Sequence, residues 1–265
     1  VFDVGIAEGH AVTFAAGLAL KGEIPFCNIY SSFLQRGYDE VIHDVAMQSA
    51  PIILCIDRAG LVGEDGMTHQ GAYDIAYLRT IPGLTIMSPI DEKELRQMMF
   101  TAYKHHKEGP FVIRFPRGKG ACKDWKVPFS ELPLGKSIEL TTGEKVAFVS
   151  YGPVGNEAKH AVKELNSLGY HPGHVNLRFV KPLDTEMLDY LAEKYDTIIT
   201  VEDGSLAGGV GSALLEYYAD KGTPIRIKRI GIPDQFIKQG AVALQYQYVG
   251  LDASSLVDTA VKMFQ

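Results

Sequence analysis

The sequence predicts an α/β protein made of two doubly wound, mainly parallel-sheet domains. Short runs rich in β-branched residues alternate with segments of helical periodicity, the pattern of a parallel sheet covered by helices on both faces. The chain has 265 residues, of which 46% are hydrophobic, enough to fill two ordinary cores. A stretch rich in glycine, proline and lysine, residues 119–144, separates two such patterns.

The first pattern occupies residues 1–118 and contains apolar runs that we interpret as strands. These runs cover residues 1–5, 25–30, 51–56, 84–87 and 111–115. The helical segments between them cover 9–20, 33–45, 72–79 and about 89–105. The first helix is apolar nearly all round, so we expect it to be buried. The run 51–56 is typical of a parallel strand with both faces covered.

The second pattern occupies residues 145–265 and repeats the alternation. Predicted strands cover 145–151, 174–179, 197–202 and 225–230. Predicted helices cover 156–168, 185–195, 207–218 and 254–264. The sequence therefore predicts one domain over 1–118, a linker over 119–144 and a second domain over 145–265.

Composition and charge exclude several classes of function. Lys and Arg number 26 against 32 Asp and Glu, and no basic block occurs, which argues against nucleic acid or an anionic membrane as a partner. No apolar run reaches transmembrane length, and no secretory signal opens the sequence. Cys27, Cys55 and Cys122 lack metal-binding spacing. Cys27 and Cys55 lie inside apolar runs, so we interpret them as reduced core residues, which indicates a reducing compartment. No motif predicts a metal held by this chain alone.

Polar and aromatic side chains follow the predicted strands of the first domain. Ligands of such sheets bind outside the carboxyl ends of the strands, so residues far apart in sequence are expected at one edge. The candidate site residues chosen on this ground are Glu8, Tyr30, Phe33, Arg36, Arg58, Asp65, His69 and Arg114. The polar loop Arg58–Gly71 is long for a connection between packed elements, and such loops usually carry function.

The residues alone leave two interpretations open for the polar candidates. Glu8 is either a first-turn acid facing the helix dipole or a carboxyl group held in a dry pocket to bond a ring nitrogen. His69 is either polar surface or a proton-handling imidazole. The second interpretation of His69 gains from Asp65 nearby and from Arg58, a cation suited to an anionic substrate.

Other features have a structural interpretation as the default. Tyr30 and Phe33 are core residues unless the ligand is an aromatic ring. Gly208–Ser212, G-G-V-G-S, could cradle a phosphate at a helix start, but a tight turn with close helix packing is favoured. The acidic pair Glu202-Asp203 before it is interpreted as solvated or interdomain.

Three longer stretches carry a resemblance to a known family. They are F-D-V-G-I-A-E-G-H-A-V-T-F-A-A-G-L-A at Phe2–Ala19, I-Y-S-S-F-L-Q-R-G-Y-D-E-V-I-H-D-V-A at Ile29–Ala46 and D-R-A-G-L-V-G-E-D-G-M-T-H-Q-G-A-Y-D-I-A-Y-L-R at Asp57–Arg79. Together with the strand end F-V-I-R-F-P-R-G, they resemble the 1-deoxy-D-xylulose-5-phosphate synthase family. The A-E-x-H element alone indicates only the wider thiamine diphosphate family, which includes transketolase and the β subunits of 2-oxo acid dehydrogenases.

The resemblance implies a thiamine diphosphate pyrimidine-binding domain followed by a transketolase C-terminal domain. The family's N-terminal domain, which holds Mg²⁺ and the diphosphate through a G-D-G…N element, is absent from this sequence. E-D-G occurs at Glu64–Gly66 and Glu202–Gly204, in neither case with the right context. The resemblance therefore implies that these residues alone do not complete an active site.

The implied reaction is the condensation of pyruvate with D-glyceraldehyde 3-phosphate, which gives 1-deoxy-D-xylulose 5-phosphate, a precursor of isoprenoids, thiamine and pyridoxal, and carbon dioxide. In it Glu8 would bond the ring nitrogen N1′ of the cofactor's aminopyrimidine, and Phe33 would stack on that ring. The remaining implied roles are a phosphate grip by Arg58 and Arg114, a channel lined by Tyr30 and Arg36, and acceptor orientation with proton transfer by Asp65 and His69. The family commonly has Gln or Asn after the Glu, where this chain has Gly9.

Two other functions stay open at this level. One is a transketolase or 2-oxo acid dehydrogenase β-type subunit whose partner chain supplies the first domain. The other is an inactive fragment that only binds or assembles. The resemblance further implies a homodimer in the cytoplasm of a bacterium, with a plastid stroma as the alternative location.

Overall fold

Two five-stranded sheets organise the structure, a computed structural model that describes all 265 residues. The strands are β1 (Phe26–Tyr30), β2 (Ile53–Asp57), β3 (Thr85–Met87), β4 (Phe111–Arg114), β5 (Ile138–Thr141), β6 (Lys145–Tyr151), β7 (Gly173–Asn176), β8 (Phe179–Lys181), β9 (Tyr195–Ser205) and β10 (Arg226–Ile232). The helices are α1 (Glu8–Leu20), α2 (Ser31–Leu34), α3 (Tyr38–Glu40), α4 (Asp74–Leu78), α5 (Glu92–Lys104), α6 (Gly155–Ser167), α7 (Thr185–Lys194), α8 (Val210–Lys221), α9 (Val242–Val249) and α10 (Ala253–Phe264).

The first sheet has the strand order β1-β2-β4-β3-β8, and the second has the order β10-β9-β6-β7-β5. Within each sheet the strands pair in parallel except at one edge, where β8 and β5 run antiparallel to their neighbours. Strands β2 and β4 are buried along almost their whole length, as expected when helices cover both faces. The prediction of two mainly parallel α/β sheets is confirmed.

The two sheets meet in a shared apolar cluster. This cluster contains 33 buried residues and includes side chains from both sheets, among them Leu54 and Ile86 from the first and Val149 and Ile198 from the second. The chain also passes directly from one sheet to the other. It leaves the second sheet after β7 and forms β8, which pairs with β3 of the first sheet. The first sheet is therefore completed by a strand from the second half of the chain.

The predicted strand over residues 1–5 is wrong. These residues form no strand and are largely exposed. The Gly5 amide instead donates to Asp3 Oδ1 at 2.9 Å, and the Ala7 amide donates to the Gly5 carbonyl at 3.0 Å. A local turn thus uses the backbone groups that a sheet would need.

The expectation that α1 is buried all round is also wrong for this chain. Val12, Ala15, Ala16 and Ala19 are buried against the sheet, whereas the opposite face, which includes Leu20, is exposed. A mostly apolar helix carries no periodicity that would show which of its faces lacks a neighbour.

The remaining differences concern short elements. The helix predicted over 33–45 is a series of short helical turns, and the strand predicted over 174–179 is divided into β7 and β8. Arg178, between those two strands, has a φ of 58°, which breaks the extended run. Strand β5 lies inside the segment predicted as a linker, and α9 lies in a region to which the sequence assigned no element. None of the helices combines the length and apolar composition that a membrane span requires.

Candidate active site

Glu8 is the first residue of α1, and its side chain lines a cavity of about 570 Å³. The carboxylate is only 14% exposed, and its Oε1 accepts a bond from the Arg36 guanidinium at 3.2 Å. Tyr30 and Phe33 line the same cavity. No hydrogen-bond partner holds the second carboxylate oxygen, Oε2. Glu8 is therefore placed to bond a ligand in this cavity as well as to face the helix dipole.

An aromatic wall connects Glu8 with the long loop. Tyr30 ends β1 and Phe33 follows it in α2, and their rings stack with centroids 5.6 Å apart. The edge of the His69 ring meets Phe33 at 5.2 Å. The Arg58 guanidinium lies 3.7 Å from the centre of the Tyr30 ring, and that of Arg36 lies 5.0 Å from Phe33. Six of the eight candidates thus form one continuous set of contacts.

The loop Arg58–Gly71 is closed at its base by a short antiparallel bridge. The amide of Gly60 donates to the carbonyl of Gly71 at 2.8 Å, and the reverse bond is 2.7 Å long. Arg58, just before the bridge, has a left-handed φ of 55° and pairs with the carboxylate of Asp57. A left-handed conformation at a non-glycine residue costs free energy, and such strain is concentrated at functional sites.

The tip of the loop brings Asp65 to a residue that the sequence analysis did not choose. The Asp65 carboxylate pairs with the Arg117 guanidinium at 2.7 Å, and the Arg117 side chain is 46% exposed. The available signal is the P-R-G turn after β4, because residues beyond that proline lie outside the strand and are exposed.

Arg114 does not lie on the cavity, so its predicted phosphate grip is wrong for this position. It is 2% exposed at the buried end of β4. Its Nε donates to both carboxylate oxygens of Asp74, and its Nη2 donates to the carbonyls of Gly71 and Asp203. Burial lowers the pKa of Arg114, but Asp74 and Asp203 raise this pKa by more, so the guanidinium stays charged. The Arg114 guanidinium therefore donates its hydrogen bonds to groups inside the protein.

Asp203 holds the base of the loop from the second sheet. Its Oδ1 accepts the Leu61 amide at 3.0 Å, and its Oδ2 accepts the Tyr246 hydroxyl at 2.8 Å. A side chain at Gly60 would overlap this carboxylate, because an ideal Cβ there lies 2.0 Å from Oδ2. Burial raises the pKa of Asp203. Of the two interpretations of the acidic pair, the interdomain one fits this residue.

Glu202 fills the helix start that the sequence offered as a possible phosphate cradle. Its carboxylate accepts the amides of Val210 and Gly211 at 2.6 and 2.9 Å. An ideal Cβ on Gly209 would lie 2.2 Å from the same carboxylate, so the glycines here permit close packing. The structure therefore agrees with the interpretation of Gly208–Ser212 as a tight turn with close helix packing. Burial raises the pKa of Glu202 to about 7, although the two amides oppose this shift.

The cysteines take no part in this constellation, and the structure holds no cluster of metal ligands. All three cysteines are free thiols, and burial raises the pKa of Cys27 to about 11 and that of Cys55 to about 12. No group of three or more His, Cys, Asp or Glu side chains is arranged to hold a metal ion. The cavity therefore offers the Glu8 carboxylate, the aromatic wall and the Arg36 guanidinium, with the His69 imidazole beyond Phe33.

Comparison with known proteins places this constellation in context. Residues 1–121 match the family "Transketolase, pyrimidine binding domain", and residues 135–256 match "Transketolase, C-terminal domain". A solved structure described as "Split gene transketolase, inactive beta4 tetramer" superposes with a TM-score of 0.87 at 26% identity. That superposition covers 99% of this chain and 83% of the other.

Curated relatives named 1-deoxy-D-xylulose-5-phosphate synthase are more similar in sequence. The protein from Bacteroides thetaiotaomicron is 55% identical over 262 residues, and that from Porphyromonas gingivalis is 54% identical over 256. The protein from Shouchella clausii is 45% identical over 263 residues. These alignments cover 97–99% of this chain but only 40–42% of the relatives. The chain thus spans about 40% of the length of the curated relatives it matches.

Arg114→Met should destabilise the chain by about 3–5 kcal/mol, because it leaves the carboxylates of Asp74 and Asp203 buried without their cation. Arg117→Met is the matched control, and it should change the free energy of unfolding by less than about 1 kcal/mol because that pair is partly exposed. Denaturant unfolding measures both. Equal effects of the two substitutions would contradict the structural role given to Arg114.

Glu202→Gln should change the pH dependence of stability. Because the pKa of Glu202 is raised from 4.5 to about 7, the folded protein keeps a proton that the unfolded chain releases between these pH values. Glu202 therefore makes the free energy of unfolding fall as pH rises through this window, by at most about 1.4 kcal/mol per pH unit. The variant's stability relative to wild type should rise with pH across the window and level off above it. Denaturant unfolding at several pH values tests this, and a difference independent of pH would refute it.

Proposed function

The chain belongs to the transketolase family, whose pyrimidine-binding and C-terminal domains match residues 1–121 and 135–256. On this premise we propose that it forms part of a 1-deoxy-D-xylulose-5-phosphate synthase, a thiamine diphosphate-dependent transferase. The proposed reaction condenses pyruvate with D-glyceraldehyde 3-phosphate to 1-deoxy-D-xylulose 5-phosphate and carbon dioxide. The observation that carries the proposal is the continuous set of contacts from Glu8 through the aromatic wall to Arg58 and His69. The decisive experiment is to supply both substrates, thiamine diphosphate and Mg²⁺ to the complete gene product and to measure release of carbon dioxide.

The cavity beside Glu8 fits the aminopyrimidine ring of thiamine diphosphate. Arg36 bonds one oxygen of the carboxylate, which leaves Oε2 to hold a proton shared with the ring nitrogen N1′. Phe33 lines the same cavity, and its ring would stack on the aminopyrimidine. When bound, thiamine diphosphate supplies the carbanion that adds to the keto carbon of pyruvate and the electron sink for loss of carbon dioxide.

This chain has Gly9 where the family commonly has Gln or Asn, and Glu40 fills the space beside Gly9. An ideal Cβ on Gly9 would lie 2.6 Å from Oε1 of Glu40. The Glu40 carboxylate thus occupies the space where a side chain after Glu8 would start. With glycine at this position, the Glu40 carboxylate packs beside α1, and the Glu8 side chain still lines the cavity, as its proposed role requires.

The acceptor aldehyde is proposed to lie between the aromatic wall and the loop. Arg58 and Arg117 present guanidinium groups that suit a bidentate grip on its phosphate. His69, held against Phe33, would deliver or remove a proton at the acceptor oxygen, and Asp65 would orient it. Tyr30 and Arg36 would line the path by which substrates enter.

The diphosphate and Mg²⁺ are proposed to be held by a further domain. The residues described here offer no cluster suited to a metal ion, and the chain spans about 40% of the curated relatives. We therefore propose that this chain alone is inactive. A homodimer in the cytoplasm of a bacterium belongs to the same proposal.

A second candidate is a β-type subunit whose partner chain carries the first domain. The observation in its favour is the superposition on a protein that is itself described as split gene and inactive. Use of a ketose donor in place of pyruvate, by this chain mixed with its partner, would favour transketolase activity. Turnover of pyruvate without any ketose activity would favour the synthase.

Glu8→Gln should lower kcat of the complete gene product by about 10²–10⁴-fold, because an amide cannot exchange a proton with N1′. The matched control is Glu64→Gln, since Glu64 is an exposed carboxylate of the loop. Steady-state release of carbon dioxide measures both. Near-wild-type turnover of Glu8→Gln would remove Glu8 from the mechanism.

Arg117→Met should raise KM for D-glyceraldehyde 3-phosphate about tenfold while leaving KM for pyruvate nearly unchanged, because a charge-assisted bond to phosphate is lost. With D-glyceraldehyde, which has no phosphate, variant and wild type should perform alike. Lys119→Met, which removes an exposed cation two residues away, is the control. An equal loss with both acceptors would argue against phosphate binding by Arg117.

A further inference from the structure

Gln245 lies in α9, which belongs to the second half of the chain, yet its amide pairs with the loop of the first. Its side chain is buried, with 3% exposed. Its Oε1 accepts the Gly63 amide at 3.0 Å, and its Nε2 donates to the Gly63 carbonyl at 3.2 Å. The same Nε2 also donates to the Lys238 carbonyl at 2.8 Å. Both donors and the acceptor of the amide are thus used, and only an amide satisfies all three bonds.

Gly63 packs closely against Gly240 and Val242, next to the start of α9. Its φ is 75°, and an ideal Cβ there would lie 3.1 Å from Cγ2 of Val242 and 3.2 Å from the Gly240 carbonyl oxygen. The Gly240 amide adds a bond of 3.3 Å to the Gly63 carbonyl. The loop tip therefore fits against the start of α9 with little freedom to move.

The contact at Gly63 is connected through the backbone to Asp65 and its partner Arg117. Gly63 opens the helical turn Gly63–Asp65, so the backbone of Asp65 is placed by the same turn. Asp65 in turn pairs with Arg117 at 2.7 Å. The amide of His69 donates to the carbonyl of Gly66 at 3.0 Å, which ties the imidazole-bearing segment to the same tip.

We propose that Gln245 is a positioning residue for the acceptor end of the active site. From the C-terminal domain it fixes Gly63, and through Gly63 it fixes the place of Asp65 and its partner Arg117. It does not touch the cavity beside Glu8, which is lined by residues 3–6, by Arg36 and by residues of α1, β1 and α2. This inference rests on the proposed function, because it assigns Gln245 a role in that reaction.

Gln245→Glu tests the proposal in the complete gene product loaded with thiamine diphosphate and Mg²⁺. At neutral pH a carboxylate accepts the Gly63 amide but repels the two carbonyls. KM for D-glyceraldehyde 3-phosphate should rise about tenfold, with the dissociation constant of thiamine diphosphate within about twofold of wild type. As pH falls, protonation restores a donor, so the ratio of variant to wild-type activity should recover.

Gln247→Glu is the matched control, since Gln247 lies on the same helix with an exposed side chain. It should leave both constants and the pH profile unchanged. Gln245→Met, which removes every polar atom at similar size, should give the same rise in KM without recovery at low pH. A rise in KM that is equal for both substrates, or absent, would overturn the positioning role.

Hydrogen exchange of the loop gives a readout that needs no turnover. The Gly63 amide should exchange faster in Gln245→Met than in wild type, while the exchange of β2 stays the same. An active wild-type protein with unchanged KM in the variants overturns this inference alone. A wild-type protein without turnover overturns the proposed function, and unchanged exchange at Gly63 then overturns the anchor as well.

Discussion

The buried guanidinium of Arg114 is the interaction on which the geometry of the candidate site depends. It bonds Asp74 on one side and the carbonyl of Asp203 on the other. Asp74 also accepts the hydroxyl of Ser31 at 2.9 Å, and Ser31 opens the helix that carries Phe33. Asp203 holds the base of the long loop at Leu61. A single cation thus connects the aromatic wall to the loop. A buried cation of this kind needs compensation of its charge, which the ion pair with Asp74 and the nearby carboxylate of Asp203 provide.

This arrangement divides the charged residues into two groups with different tasks. Arg114, Asp74 and Asp203 are buried and satisfied by one another, so they fix geometry. Arg36 and Arg117 are substantially exposed, and each is bonded to one carboxylate, at the cavity or at the loop tip. At the carboxyl end of β9, Asp203 supports the candidate site of the first sheet. Glu202, beside it, fills the start of α8, where a phosphate could otherwise bind.

Most of the fold and of the site could be predicted from sequence, because hydrophobic periodicity gives the strands and the carboxyl-end rule gives the rim. Glu8, Phe33 and His69 were chosen on that basis, and the structure brings them into one set of contacts. Arg114 could not be assigned correctly, since its side chain enters the core to meet an Asp203 that is 89 residues away. The strand predicted at residues 1–5 failed for a similar reason, because whether an apolar run pairs depends on a neighbour that local pattern does not reveal.

The most direct test of this account is a double-mutant cycle on the free energy of unfolding with Arg114→Met and Asp203→Asn. The Asp203 carboxylate acts on the Arg114 guanidinium, so each single variant already removes this attraction, and the double variant should lose at least about 0.5 kcal/mol less than the sum of the single losses. Losses that add within error would mean that Arg114 does not join the two halves of the site. In that case the contacts between the aromatic wall and the loop would have to rest on apolar packing alone.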